Sequence, residues 1–196
     1  MASLKPGETP LLMICIVSLV TILFLNPDLL DQEVVLAYFF VILMNTRKGV
    51  TLNLWIVSLN PCVFVEIVQP NNEKNVILGC LYRPPNVQTE IFNDEIKQVL
   101  AKIGFENKLC FLFGDFNINI LNADSHVPTN DFIDLMYSNG FYPLISKPTR
   151  ITSRSATLID NIIFNDLDHH KFSGILWSDI SDHLPIFQIT NFSLKP

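Results

Sequence analysis

Leu109-Cys110-Phe111-Leu112-Phe113-Gly114-Asp115-Phe116-Asn117 is the stretch on which the reading of this sequence turns. The unbroken apolar run Leu109–Phe113 is short, which suits a strand buried on both sides. Gly114 ends the run, and an aspartate emerges directly behind it. Asp115 and Asn117 are two apart, so in extended backbone they point to the same side. A carboxylate beside a carboxamide suits hydrolysis. The acid can orient and deprotonate a water, and the amide can donate to a developing oxyanion. Gly, Asp and Asn are also ordinary turn residues, and the tetrapeptide alone leaves both readings open.

Working outward, Cys62–Val68 alternates and runs into a turn at Pro70-Asn71-Asn72. Val76–Tyr82 is a second strand stopped by Pro84-Pro85, so the two predict a hairpin. Ile91, Phe92, Ile96, Val99, Leu100 and Ile103 fall at helical spacing with Gly104 as the stop. A second helix is expected from about Asn130, through Phe132, Ile133, Leu135 and Met136, closing at Asn139-Gly140. Strands are expected at Thr157–Phe164, Phe172–Trp177 and Leu184–Thr190. Interleaved helices with hairpins predict a mixed sheet.

Residues 1–58 read differently. Leu11–Leu25 has no charge, and Val34–Met44 is rich in aromatic and β-branched residues. The first run is shorter than the roughly 20 apolar residues that cross a bilayer. Three readings stand side by side: a membrane or signal segment across residues 11–44, a pair of buried strands or helices, and sequence foreign to the domain that follows. The expected division is therefore an apolar segment over 1–58 and a domain over 59–194.

The chain has 196 residues, 49% of them apolar, which is room for one domain with a sizeable core and argues against global disorder. A net charge of −6 has the wrong sign for a stand-alone nucleic-acid clamp. It is compatible with a site that holds divalent cations, which need carboxylate oxygens. Cys15, Cys62, Cys80 and Cys110 lack metal spacing and read as buried reduced thiols.

Polar clusters at strand ends are where sites on sheet scaffolds are built. Besides Gly114–Asn117 they are Tyr82-Arg83-Pro84-Pro85, Asp160-Asn161 and Ser181-Asp182-His183. His183 could donate to a phosphate oxygen, with Asp160 holding its ring as the acid of a triad does. Tyr82, Arg83, Arg150 and Arg154 suit phosphate contacts. Solubility explains Arg150 and Arg154 equally well. His126 and the pair His169-His170 read as surface loop residues.

In order along the chain, Leu81-Tyr82-Arg83-Pro84-Pro85, Gly114-Asp115-Phe116-Asn117, Pro148-Thr149-Arg150-Ile151-Thr152, Ser155-Ala156-Thr157-Leu158-Ile159-Asp160 and Ser181-Asp182-His183-Leu184-Pro185-Ile186 resemble the endonuclease/exonuclease/phosphatase superfamily. More narrowly, they are similar to the apurinic/apyrimidinic-type endonuclease domain of non-LTR retrotransposons, over roughly residues 62–190. The resemblance implies a four-layered α/β sandwich of two packed sheets. It also implies Mg²⁺- or Mn²⁺-dependent cleavage of DNA or another phosphodiester. On that basis Asp115 activates water and Asn117 helps stabilise the transition state. His183 contacts the scissile phosphate, with Asp160 fixing its ring. Asp182 lies at the metal and Tyr82 positions the phosphate.

The sequence departs from the family at its start. There the family has a strand ending in asparagine and another ending in a metal-binding glutamate. Glu8 lies in a Pro/Gly-rich start, and Glu33 precedes its apolar run rather than ending it. The expectation is therefore an α/β domain of this type whose N-terminal half is missing or replaced: retroelement-derived, truncated, weakly active or inactive. The competing expectations are an active enzyme with a substitute acid from residues 1–58, and a membrane-tethered or partner-binding pseudoenzyme. A working retroelement enzyme would be nuclear, and a membrane-inserted chain would not.

Overall fold

The structure is a computed structural model that describes residues 12–23, 34–44, 51–54, 62–68, 74–168 and 170–192. Its strands are β1 (Leu12–Leu23), β2 (Val34–Met44), β3 (Thr51–Leu54), β4 (Val63–Val68), β5 (Val76–Tyr82), β6 (Leu109–Asp115), β7 (Tyr142–Pro143), β8 (Arg150–Ile151), β9 (Ala156–Thr157), β10 (Asp160–Phe164), β11 (His170–Ile175) and β12 (Ile186–Phe192). Two α-helices, α1 (Thr89–Phe105) and α2 (Val127–Ser138), flank β6 in sequence. The first sheet runs β11-β12-β1-β2 and the second β3-β4-β5-β6-β10-β7, with β8 and β9 forming a small ribbon.

The second sheet is the mixed sheet that the sequence predicts. β4 and β5 pair antiparallel as the expected hairpin, and the turn at Pro70-Asn71-Asn72 lies outside the described residues. β5 and β6 pair parallel, which requires a crossover, and α1 supplies it. The apolar stripe Phe92, Ile96, Val99, Leu100 and Ile103 of α1 packs with Phe132, Ile133 and Met136 of α2 on one face of the sheet. Phe92, Phe116 and Phe132 form an aromatic trio there, with centroids 5.5–6.4 Å apart. The opposite face buries Val76, Leu78, Phe111, Phe113, Ile162 and Phe164 against Ile186 of β12 and Ile175 of β11, so the two sheets meet across it. Phe111 and Phe164 stack at 3.9 Å on neighbouring strands. β6 is thus buried on both faces, as its unbroken apolar run demands.

Several boundaries differ from the sequence reading. α1 runs one residue past Gly104, and the chain reverses at Asn107 with φ +48°. α2 starts at Val127, three residues early, with Pro128 in its first turn. The strand expected over Thr157–Phe164 is broken at Leu158–Ile159, whose amides bond to the Asn119 Oδ1 (3.0 Å) and Thr149 Oγ1 (3.2 Å) side chains. β11 begins at His170 and ends before Trp177, so His170 is a strand residue rather than a loop residue. Residue 169 lies outside the described residues.

The two apolar runs of residues 1–58 form strands. β1 and β2 pair antiparallel from Leu23↔Val34 to Met13↔Met44, and β1 pairs with β12 from Ser18↔Ile186 to Leu12↔Phe192. Among the described residues no helix is long and apolar enough to cross a membrane. Among the described residues the helices, the second sheet and the first sheet follow one another as layers. Both α-helices lie on the second sheet, and none described covers the outer face of the first. Cys62, Cys80 and Cys110 are free thiols, and burial pushes them up to about 11, to about 12 and well above the ordinary value respectively, so they are inert.

Candidate active site

Register alone brings the first polar groups together. β5 sets Tyr82 beside Asp115, and β10 sets Asp160 directly opposite Asp115. Directly opposed residues have Cβ atoms about 4.5–5.5 Å apart, so two carboxylates face each other at one end of the second sheet. Gly114 makes that end possible. Its φ is +142°, and a Cβ there would lie 1.9 Å from the Leu81 carbonyl oxygen.

His183 reaches the pair from the other side. It stands just before β12, bridged to Arg150 of β8. The Leu184 amide donates to Thr149 O (2.7 Å), and the Ile151 amide to Asp182 O (2.9 Å). The ring Nδ1 lies 3.0 and 3.2 Å from the two Asp160 oxygens. Asp115, Asp160 and His183 are all buried, with potential ligand atoms within 4.8 Å of one another.

Asn117 takes the left-handed conformation, φ +47°. Its amide N–H donates to Asp115 Oδ1 (2.8 Å). Its carboxamide donates to Arg83 O (2.8 Å) and Asp115 Oδ2 (3.3 Å). In this arrangement the carboxamide is shared between the Arg83 carbonyl and the Asp115 carboxylate. Arg83 completes the clamp. Its guanidinium donates to the carbonyls of Phe116 (2.7 Å), Asn117 and Val87 and, at 3.5 Å, Pro84. It is buried and joins the segment after β5 to the loop after β6.

The other sequence-selected residues lie around this centre. Asp182 forms an exposed pair with Arg150 Nε (2.8 Å) and stands outside the buried trio. Arg154 is exposed in the β8–β9 turn. Tyr82 also borders a cavity of about 460 Å³ with Val87, Ile91 and Glu95. Two further residues were not selected from the sequence. Thr149 is fully buried, and its Oγ1 accepts the amides of Ile159 (3.2 Å) and Asp160 (3.0 Å), which fixes the start of β10. The Asn161 carboxamide bonds both ways to the Ile145 backbone (3.0 and 3.2 Å). Both sit inside motifs the sequence displayed, but nothing in a hydroxyl or an amide marks it as a backbone tie.

Electrostatics follow from this packing. Burial pushes the Asp115 carboxyl up to about 7, with the Asp160 charge adding to the effect. The Asn117 amide, His183 and Arg150 pull it down less strongly. Burial alone would lower His183, but the hydrogen bond and charge of Asp160 outweigh it and raise the ring above its ordinary value. Asp182 is desolvated slightly, yet Arg150 holds it below the usual carboxylate range. A buried acid facing a second carboxylate leaves negative charge poorly compensated, and a divalent cation would relieve it. Hard cations such as Mg²⁺ take oxygen ligands, need only one or two carboxylates and keep waters. Asp115 and Asp160, with oxygens in one buried cluster, fit that role.

No protein-family profile matches the sequence, and no curated protein matches it either. Solved structures do. The endonuclease domain of TRAS1, a telomere-specific non-LTR retrotransposon, superposes with a TM-score of 0.63 at 18% identity, over 88% of this chain and 80% of that one. An endonuclease/exonuclease/phosphatase family protein from Leptotrichia buccalis gives 0.52 at 18% identity, over 95% and 74%. A 3′ phosphatase from Neisseria, bound to product DNA hairpin, gives 0.51 at 12% identity, over 95% and 91%. The chain has the endonuclease/exonuclease/phosphatase fold. At these identities the likeness concerns the fold alone. On this scaffold, the strand ends of the second sheet carry Asp115 and Asp160, and the segment before β12 of the first sheet brings His183 to them. Glu8 and Glu33 lie outside the described residues.

Proposed function

We propose that this chain is a metal-dependent phosphodiester hydrolase of the DNA endonuclease type, of retroelement origin and weakly active. The observation that carries the reading is the buried Asp115–Asp160–His183 trio, with Asp115 held in place by Asn117. An acid pushed up to about 7 exchanges protons readily at neutral pH, as a general base must. In this reading Asp115 takes the proton of the attacking water. Asp160 at its Nδ1 raises His183 above its ordinary value and favours the protonated ring, which in this reading donates from Nε2 to a phosphate oxygen. Tyr82, one residue across from Asp115, positions the phosphate, and Arg150 and Arg154 flank it on the β8–β9 ribbon.

Asp115 and Asp160 would hold Mg²⁺ or Mn²⁺, which when bound neutralises phosphate charge and assists the leaving oxygen. Weak activity follows from the family's metal-binding glutamate, for which neither Glu8 nor Glu33 stands at a strand end in the sequence. Among the described residues the trio offers two carboxylates, and Asp182 is tied to Arg150. DNA as substrate is supported by the DNA-bound Neisseria structure and the retrotransposon endonuclease domain, which share the fold.

The test is nicking of supercoiled plasmid with added Mg²⁺. Slow nicking that vanishes with EDTA and in Asp115→Ala is expected. A chain that is folded by circular dichroism yet leaves the plasmid intact at high enzyme concentration would overturn the hydrolase reading.

A further inference from the structure

The loop that delivers His183 carries two large apolar side chains that nothing described covers. Trp177 is 85% exposed and Ile180 73%, between β11 and β12. The loop is not loosely attached. Its base is closed by the Leu176 amide donating to Pro185 O (2.8 Å), and it is tied to β8 through Ile151 N–Asp182 O and Thr149 O–Leu184 N. Inside it, Ser178 Oγ accepts the Ile180 amide (3.3 Å) and Ser181 Oγ the His183 amide (3.2 Å). One limb therefore ends in the buried site and the other presents an indole to solvent. His183 is the sixth residue after Trp177, a step of at most about 20 Å of extended chain, or roughly six base steps of a nucleic acid.

Resting on the hydrolase reading, the geometry points to Trp177 as a stacking platform for an unstacked base of the nucleic-acid strand that the Asp115–Asp160–His183 site holds. The charges around it favour a base over a phosphate. Asp179 lies two residues on, exposed and acidic, and would repel the backbone. The cations Arg150 and Arg154 sit instead on the adjoining β8–β9 ribbon, where a backbone would run. An aromatic face binds any base through its π surface and needs no cation of its own. Ile180, in the same loop, and Ile151, whose amide is tied to that loop at Asp182, add exposed apolar surface.

The experiment uses the full chain in EDTA at low salt, with fluorescence anisotropy of a labelled single-stranded DNA oligonucleotide of mixed sequence. Trp177→Ala and Trp177→Leu should each weaken binding about tenfold or more, while Trp177→Phe stays within about threefold of wild type. All three should melt like wild type, because the side chain is in water. Equal binding by wild type and all three variants would overturn the inference. So would a Trp177→Ala change that turns a dimer into a monomer in sedimentation without altering DNA affinity, since the loop would then seat a second copy. The two readings separate cleanly. Plasmid nicking with no Trp177 dependence of binding removes only the platform. Trp177-dependent binding without nicking removes only the hydrolase.

Discussion

Arg83 and Arg150 flank the same pair of carboxylates and are held in opposite ways. Arg83, after β5, is 6% exposed and spends its guanidinium on four main-chain carbonyls. Arg150, on β8, is 42% exposed and pairs with an equally exposed Asp182. One rim is a buried backbone clamp, and the other is an open, charged ribbon tied to the loop that carries Trp177. The contrast assigns them different work. The closed rim fixes Asp115 through Asn117, and the open rim is where a substrate strand can lie. Interactions inside the closed rim cannot be replaced by water, whereas those on the open rim can.

The largest expected effect is at the hinge of the closed rim. Gly114→Ala would drive a Cβ into the Leu81 carbonyl at a backbone angle that L residues rarely adopt, at a cost of several kcal/mol, about 4 or more. Thermal melting should find little folded protein, and a wild-type melting curve would mean that the β5–β6 approach is softer than described. Next is Arg83→Met, which keeps the stem but strands the carbonyls of Phe116, Asn117 and Val87. A loss of about 3 kcal/mol in urea unfolding is expected, with Arg83→Lys recovering only part of it. A loss no larger than that of Arg150→Ala would erase the distinction between the rims.

The third test is of pH, in metal-free buffer. Asp115 is raised from 3.8 to about 7, so the folded state holds a proton that the unfolded state releases. The associated stability is full below about 4 and lost as pH rises through about 7. Asp115→Asn should therefore gain on wild type across that window, by about 2–4 kcal/mol, read as a widening gap in urea midpoints. A gap that stays constant with pH would show that Asp115 titrates normally. For activity, Asp160→Asn removes a charge that raises both Asp115 and His183, so both limbs of a pH–rate profile should move to lower pH. The smallest effect is Arg150→Ala, under about 1 kcal/mol in stability because its pair is exposed and screened. Its signature would be a steeper loss of DNA binding with added salt in wild type than in the variant.

Much of the second sheet was legible along the chain. The apolar run of β6, the Cys62–Val68 and Val76–Tyr82 hairpin and the stripe of α1 each carry a period that only one element satisfies. Leu158–Ile159 was not legible as a break, because its cause is two side chains, Asn119 and Thr149, remote or unmarked in sequence. The apolar runs Leu11–Leu25 and Val34–Met44 were equally ambiguous. Length and hydropathy do not say whether such a run meets lipid or a sheet, and pairing of β1 with β12, more than 160 residues away, decides it.

The sequence by itself determined which groups are chemically able to act: Asp115, Asn117, Asp160 and His183 stand at strand ends in several motifs in a fixed order, where no single one of them would have decided between a turn and a site. Tertiary structure decided where each one sits and what it touches. Register set Asp160 opposite Asp115, burial moved the acid towards neutrality, and a guanidinium that looked made for phosphate was turned inward to main-chain carbonyls. Side-chain chemistry is local and can be read in order along a chain. Desolvation and the direction of a long side chain depend on neighbours that only the folded chain brings near.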